Sequence, residues 1–84
     1  MFTVSWKKSA LNELIALWVA ADSEQRKAIT EATNEIDREL KSDPRSKGES
    51  RPKNRRIFFA PPLAILFRVV PNQAKVQVLQ VWQY

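Results

Sequence analysis

After a short opening segment, the hydrophobic period of this 84-residue chain changes from a helical to a strand spacing, and the change divides it into a helical half and a strand half. Between residues 11 and 40 apolar side chains recur at three- and four-residue intervals, the spacing that lines up one face of an α-helix. From residue 55 onward they alternate or run on over short stretches, as strands do. A chain that keeps its helices in one run and most of its strands in another must bury those helices against one sheet, which is an α+β arrangement.

The elements follow from that division. Phe2, Val4 and Trp6 alternate with Thr3 and Ser5, a short strand with one apolar face. Leu11, Leu14, Ile15 and Trp18 fall at i, i+3, i+4 and i+7 and predict a first helix with one buried stripe, widened by Leu17 and Val19. Asp22, followed three residues later by Gln25, is the signature of a new helix start. That second helix buries Ile29, Ala32, Ile36 and Leu40, turns Glu31, Glu35, Asp37 and Glu39 outward, and stops before Pro44, because the residue preceding a proline is pushed out of the α region. The short link at Ala20-Ala21 predicts a helical hairpin. Arg55 to Phe59 reads as a strand, Pro61-Pro62 as a turn, Leu63 to Val70 as a central strand with apolar residues on both faces, residues 71–74 as a turn, and Lys75 to Trp82 as the last strand. The predicted order is β-α-α-β-β-β in a single domain over residues 1–84, with the helical hairpin packed on a mainly antiparallel sheet.

Charge is concentrated where the two halves meet. The segment from Lys41 to Arg56 holds Lys41, Arg45, Lys47, Arg51, Lys53, Arg55 and Arg56 against Asp43 and Glu49, which accounts for the whole net charge of +5. The rest of the chain balances. Clustered Lys and Arg neutralise phosphates and release their counterions, so a polyanion is the natural partner, while a solvated basic loop is the plainer alternative. Arg68 is the other basic residue of note, because it sits in an otherwise apolar strand where a charge is costly unless it is paired or opens on a groove.

Composition removes several functional classes. The chain has no cysteine and no histidine, so disulfides, thiolate nucleophiles, Ser-His-Asp and Cys-His mechanisms and the usual zinc sites are all excluded. Gly48 is its only glycine, which rules out a P-loop or a Gly-rich dinucleotide fingerprint. No cofactor and no metal is expected, and any chemistry must use Lys, Arg, Tyr, Asp or Glu. No apolar run approaches the roughly 20 residues of a membrane-spanning helix and no signal-peptide pattern opens the sequence, so the expected location is cytoplasmic. A domain of this size buries only about 60 to 65 per cent of its unfolded surface and gains from a protein partner.

At this point the residues carry a resemblance. A short first strand with a Trp, a helical hairpin, a basic connector, the run from Arg56 through Pro61-Pro62 to Val69, and the closing strand Val76 to Trp82 resemble the RelE/ParE superfamily of toxin-antitoxin toxins over nearly the whole chain. The resemblance implies a small toxin, of the kind grouped with plasmid stabilisation proteins, held inactive by a cognate antitoxin that wraps it. Some members cleave mRNA on the ribosome as metal-independent endoribonucleases, using Lys, Arg, Tyr and sometimes Glu or His; others poison DNA gyrase.

Carried over residue by residue, the family pattern is met in part. Tyr84 matches the terminal Tyr of the YoeB-like branch, but Gln83 stands where that branch has a catalytic histidine, and an amide only hydrogen-bonds. Ala64 occupies the place of the nuclease arginine at the start of its strand. Under the nuclease reading the catalytic set is therefore Arg55, Arg56, Arg68 and Tyr84, with Lys47, Arg51 and Lys53 gripping nucleic acid. A gyrase inhibitor, or an inactive relative that only binds its antitoxin, tolerates Ala64 and Gln83. Trp6, Trp18 and Trp82 read as core or antitoxin-facing anchors rather than base-stacking platforms.

Overall fold

The computed structural model describes residues 1–84, the Pro71 side chain excepted. Its elements are β1 (Thr3–Trp6), α1 (Lys8–Ala20), α2 (Ser23–Ser42), β2 (Glu49–Arg51), β3 (Arg55–Ala60), β4 (Leu63–Val70) and β5 (Lys75–Gln83). The five strands form one sheet in the order β1-β5-β4-β3-β2. Only the β1–β5 pair is parallel, since α1 and α2 form part of the connection between them, while the remaining neighbours are antiparallel hairpins. Among the described residues no helix is long and apolar enough to cross a membrane.

One face of the sheet packs on the helices. Leu63, Ile65, Phe67 and Val69 of β4 join Val76, Val78 and Val81 of β5 and Ala60 of β3 beneath Ala10, Ile29, Ala32, Ile36 and Leu40. Each fully buried Leu, Ile, Val or Phe here contributes about 1.5–3 kcal/mol. The predicted face of α2 is the buried one, and the predicted cap is complete: the Gln25 backbone N–H donates to Asp22 Oδ1 at 2.8 Å, and the Asp22 N–H donates to Gln25 Oε1 at 3.1 Å.

The expected stripe of α1 is corrected. Leu11, Ile15, Trp18 and Val19 are exposed, at 42–61%, whereas Ala10 is buried and Leu14 and Leu17 pack on the core. The helix is apolar almost all round, so two helical phases compete. The phase Ala10-Leu14-Leu17, continued by Ala21 beyond the helix end, wins because α1 lies close along β5, where small residues permit near approach. The two-residue link Ala21-Asp22 is secured by Arg26, whose Nε and Nη2 donate to the carbonyls of Trp18 and Val19 at 2.9 and 3.1 Å, and whose guanidinium lies 4.3 Å from the Trp18 ring centroid.

The basic connector also differs from a plain loop. Its second half folds into β2, which pairs with β3 through the turn Pro52-Lys53-Asn54, so the order is β-α-α-β-β-β-β. Gly48 makes the entry to that strand possible. Its φ is +70°, and a Cβ there would stand 1.9 Å from the Ile57 carbonyl oxygen. Arg56 locks the same segment, its Nε donating to the Lys47 carbonyl at 2.6 Å and its Nη2 to the Gly48 carbonyl at 3.0 Å.

Candidate functional site

The face of the sheet turned away from the core has no helix laid across it, and the strand register arranges its side chains in rows. Arg51 lies opposite Arg55, Arg55 opposite Arg68, and Arg68 opposite Gln77, so three arginines from β2, β3 and β4 stand side by side. Directly opposed residues have Cβ atoms roughly 5 Å apart, and like charges in that position repel. Only two of the three are relieved: Arg51 reaches Glu49 at 3.5 Å, and Arg68 Nη2 donates to Gln77 Oε1 at 3.1 Å. Arg55, the middle one, makes no hydrogen bond or ion pair among the described residues. Arg68 thus opens on the bare sheet face rather than on an acidic residue of the helices.

The next row is apolar, with Ile57 opposite Leu66 and Leu66 opposite Gln80. Between Leu66 and Phe67 the β4–β5 register slips by one residue, leaving Leu79 as an extra residue of β5. The start of α1 meets the sheet here. Leu66 and Leu79 line a cavity of about 320 Å³ together with Arg55, Gln80, Lys7 and Glu13. Glu13 is fixed in place because its Oε1 accepts the Val81 backbone N–H at 3.1 Å, a donor on the part of β5 that β1 is too short to cover.

The third row is aromatic. Ala64 lies between Phe59 and Trp82 and is fully buried on this face. Trp82 is there because of the slip at Leu79; strict alternation would have placed it with Val76 and Val78 under the helices. Tyr84 completes the cluster. Its ring meets Phe59 edge-on at 5.3 Å between centroids, and its backbone N–H donates to the Pro62 carbonyl at 3.2 Å.

The sequence-predicted site residues therefore separate into three groups. Arg55 and Arg68 stand together, with Arg51 beside them. Tyr84 sits with Phe59, four residues along β3 from Arg55, a separation of about 13 Å. Arg56 points to the opposite face and is engaged by the Lys47 and Gly48 carbonyls. Of the residues assigned to nucleic-acid contact, Lys47 is tied to Glu39 at 3.0 Å, and Lys53 stands at the exposed tip of the β2–β3 turn with φ +65°.

Lys7, Glu13 and Gln80 were missed. Lys7 just before α1 and Glu13 within it carry no sequence signal for the sheet, and only the path of α1 along β5 brings them to it. The arginine row did leave a signal. A two-residue turn at Pro61-Pro62 puts Ala60 opposite Leu63 and, counted back, Arg55 opposite Arg68.

No family model and no curated protein matches the sequence. Solved structures do. The chromosomal ParDE toxin-antitoxin system of P. aeruginosa superposes with a TM-score of 0.77 at 20% identity, over 99% of this chain and 96% of that one. The RelBE2 toxin-antitoxin complex of Mycobacterium tuberculosis gives 0.76 at 15% identity, over 99% and 91%. The isolated RelE toxin of E. coli gives 0.62 at 15%, over 99% and 84%. With two helices packed on a five-stranded, mostly antiparallel sheet over its whole length, this chain has the RelE/ParE toxin fold.

Proposed function

We propose that this chain is the toxin of a type II toxin-antitoxin pair, and that it stops growth by binding its target across the open sheet face rather than by cutting RNA. The shared fold supports the first half of the reading. The second half rests on the separation within the site. Cleavage of RNA by its own 2'-hydroxyl needs a base and an acid within hydrogen-bond reach of one phosphate, but Tyr84 is packed on Phe59 about 13 Å along the strand from the Arg55 and Arg68 pair.

Ala64 and Gln83 fit the same account. Ala64 lies buried between two aromatic side chains and Gln83 is exposed near the chain end, so neither adds a proton-transfer group. What the face offers is a binding surface: charge at one end, a cavity of mixed polar and apolar lining in the middle and aromatic rings at the other. DNA gyrase is the target this reading favours, and no cofactor is used.

The antitoxin has its own surface. Leu11, Ile15, Trp18 and Val19 form a continuous exposed apolar strip along α1, which an apolar segment of the antitoxin covers. The endoribonuclease reading keeps one supporting observation, the arginine row, since aligned guanidiniums suit phosphate.

Tightly induced expression in a bacterial host, followed by growth and by transcript integrity, separates the two. Arrest with filamentation and intact transcripts is expected, and Arg55→Gln with Arg68→Gln should relieve it. Cut transcripts would move the function to the nuclease.

A further inference from the structure

A second basic site lies off the open face. Arg45, Ser50, Asn54, Arg55, Arg56 and Val69 line a cavity of about 200 Å³ beside the β2–β3 turn. Arg56, Ser50 and Val69 belong to the helix side of the sheet, so this cavity and the 320 Å³ cavity share only Arg55, which stands at the rim of both. Three arginines contribute to its lining, and no Asp or Glu lines it among the described residues.

The donors are free to act. Arg56 spends Nε and Nη2 on the Lys47 and Gly48 carbonyls, which orients its planar fork and leaves Nη1 uncommitted. Arg45 has only a loose contact to the Phe2 ring, 5.7 Å from its centroid. Ser50 and Asn54 add a hydroxyl and an amide. The turn that carries Asn54 holds both Lys53 and Asn54 at positive φ, 65° and 61°, a conformation that is unfavourable for a lysine and that places the Asn54 side of the turn against the cavity.

From this grouping of Arg45, Arg55 and Arg56 with Ser50 and Asn54 around one cavity, we infer a binding site for a single phosphate group, centred on the helix side of the sheet and sharing only Arg55 with the open face. The cavity is small, below the roughly 300–1,000 Å³ that holds a drug-sized molecule, and its size suits a tetrahedral anion. A phosphate monoester, an inorganic phosphate and one link of a nucleic-acid backbone share that chemistry. The inference does not depend on the mode of toxicity.

The test is titration of inorganic phosphate into the purified full chain at low ionic strength, following the Arg Nε–H and Asn54 amide resonances by NMR, with pyrophosphate and a single-stranded thymidine oligonucleotide as competitors. Saturable shifts are expected at Arg45, Arg55, Arg56 and Asn54. Arg45→Gln and Arg55→Gln should each weaken binding about tenfold, the loss of one charge-assisted contact. Arg38→Gln removes a charge from the exposed side of α2 and should change nothing. Ser50→Ala, at an exposed residue, carries the test if an arginine variant fails to fold. Tighter binding of the oligonucleotide, displaced by phosphate, identifies a nucleic-acid backbone as the source; tighter binding of pyrophosphate identifies a free phosphate compound. Absence of saturable shifts, or equal losses in Arg45→Gln and Arg38→Gln, would overturn the site.

Discussion

Single residues decide the geometry of the basic half of the molecule. Gly48 is required because any side chain at φ +70° would collide with the Ile57 carbonyl, an immovable backbone atom. Gly48→Ala is therefore expected to cost about 2–4 kcal/mol and to displace β2; a denaturant melt within 1 kcal/mol of wild type would refute this. Arg55 behaves in the opposite way. It stands between Arg51 and Arg68 with no partner among the described residues, so Arg55→Gln should leave stability unchanged or raise it by about 0.5 kcal/mol, which for a domain of this size is roughly 2–4 °C in Tm. The same change should weaken toxicity. A residue kept at a cost to the fold and needed for activity is placed there for a ligand, and thermal melts beside growth curves test both halves. The row itself was legible from the Pro61-Pro62 turn once register was counted, whereas its Arg51 member was not, because Glu49-Ser50-Arg51 is wholly exposed and carries no apolar signal for a strand.

At the scale of elements, legibility followed amphipathicity. The buried face of α2 was readable because polar residues occupy every other side, and its capping box announced the start. Asp22→Ala should cost about 1 kcal/mol by chemical denaturation. In α1 the pattern admitted two phases, and nothing local chose between them; the neighbouring β5 did. The two phases make a contrast that measurement resolves. Leu14→Ala is expected to destabilise by about 2–3 kcal/mol, while Ile15→Ser, on the exposed strip, should stay within about 0.5 kcal/mol and instead weaken antitoxin binding. Equal losses of stability would mean that the helix is turned the other way. The β5 slip at Leu79 escaped the sequence for a different reason: one unpaired residue reverses every side chain after it, and alternation counted along β5 alone places Trp82 on the wrong face.

For the whole molecule, charge and apolar surface fall in separate regions, which is what the two proposed partners, a target and an antitoxin, would require. The connector carries the net charge and places it around the β2–β3 hairpin, the open sheet face combines arginines with a cavity of mixed lining and aromatic rings, and α1 keeps an exposed apolar strip for the proposed antitoxin contact. Binding on the open face needs no convergent acid and base, and that is the property that separates the proposed mode of action from nuclease chemistry. The most direct test is to add the purified chain to two reactions in parallel, DNA supercoiling by gyrase and a ribosome-programmed translation mixture with labelled mRNA. The expected result is inhibited supercoiling, weakened by Arg55→Gln and Arg68→Gln, beside full-length mRNA. Untouched gyrase with mRNA cut at defined positions would contradict it.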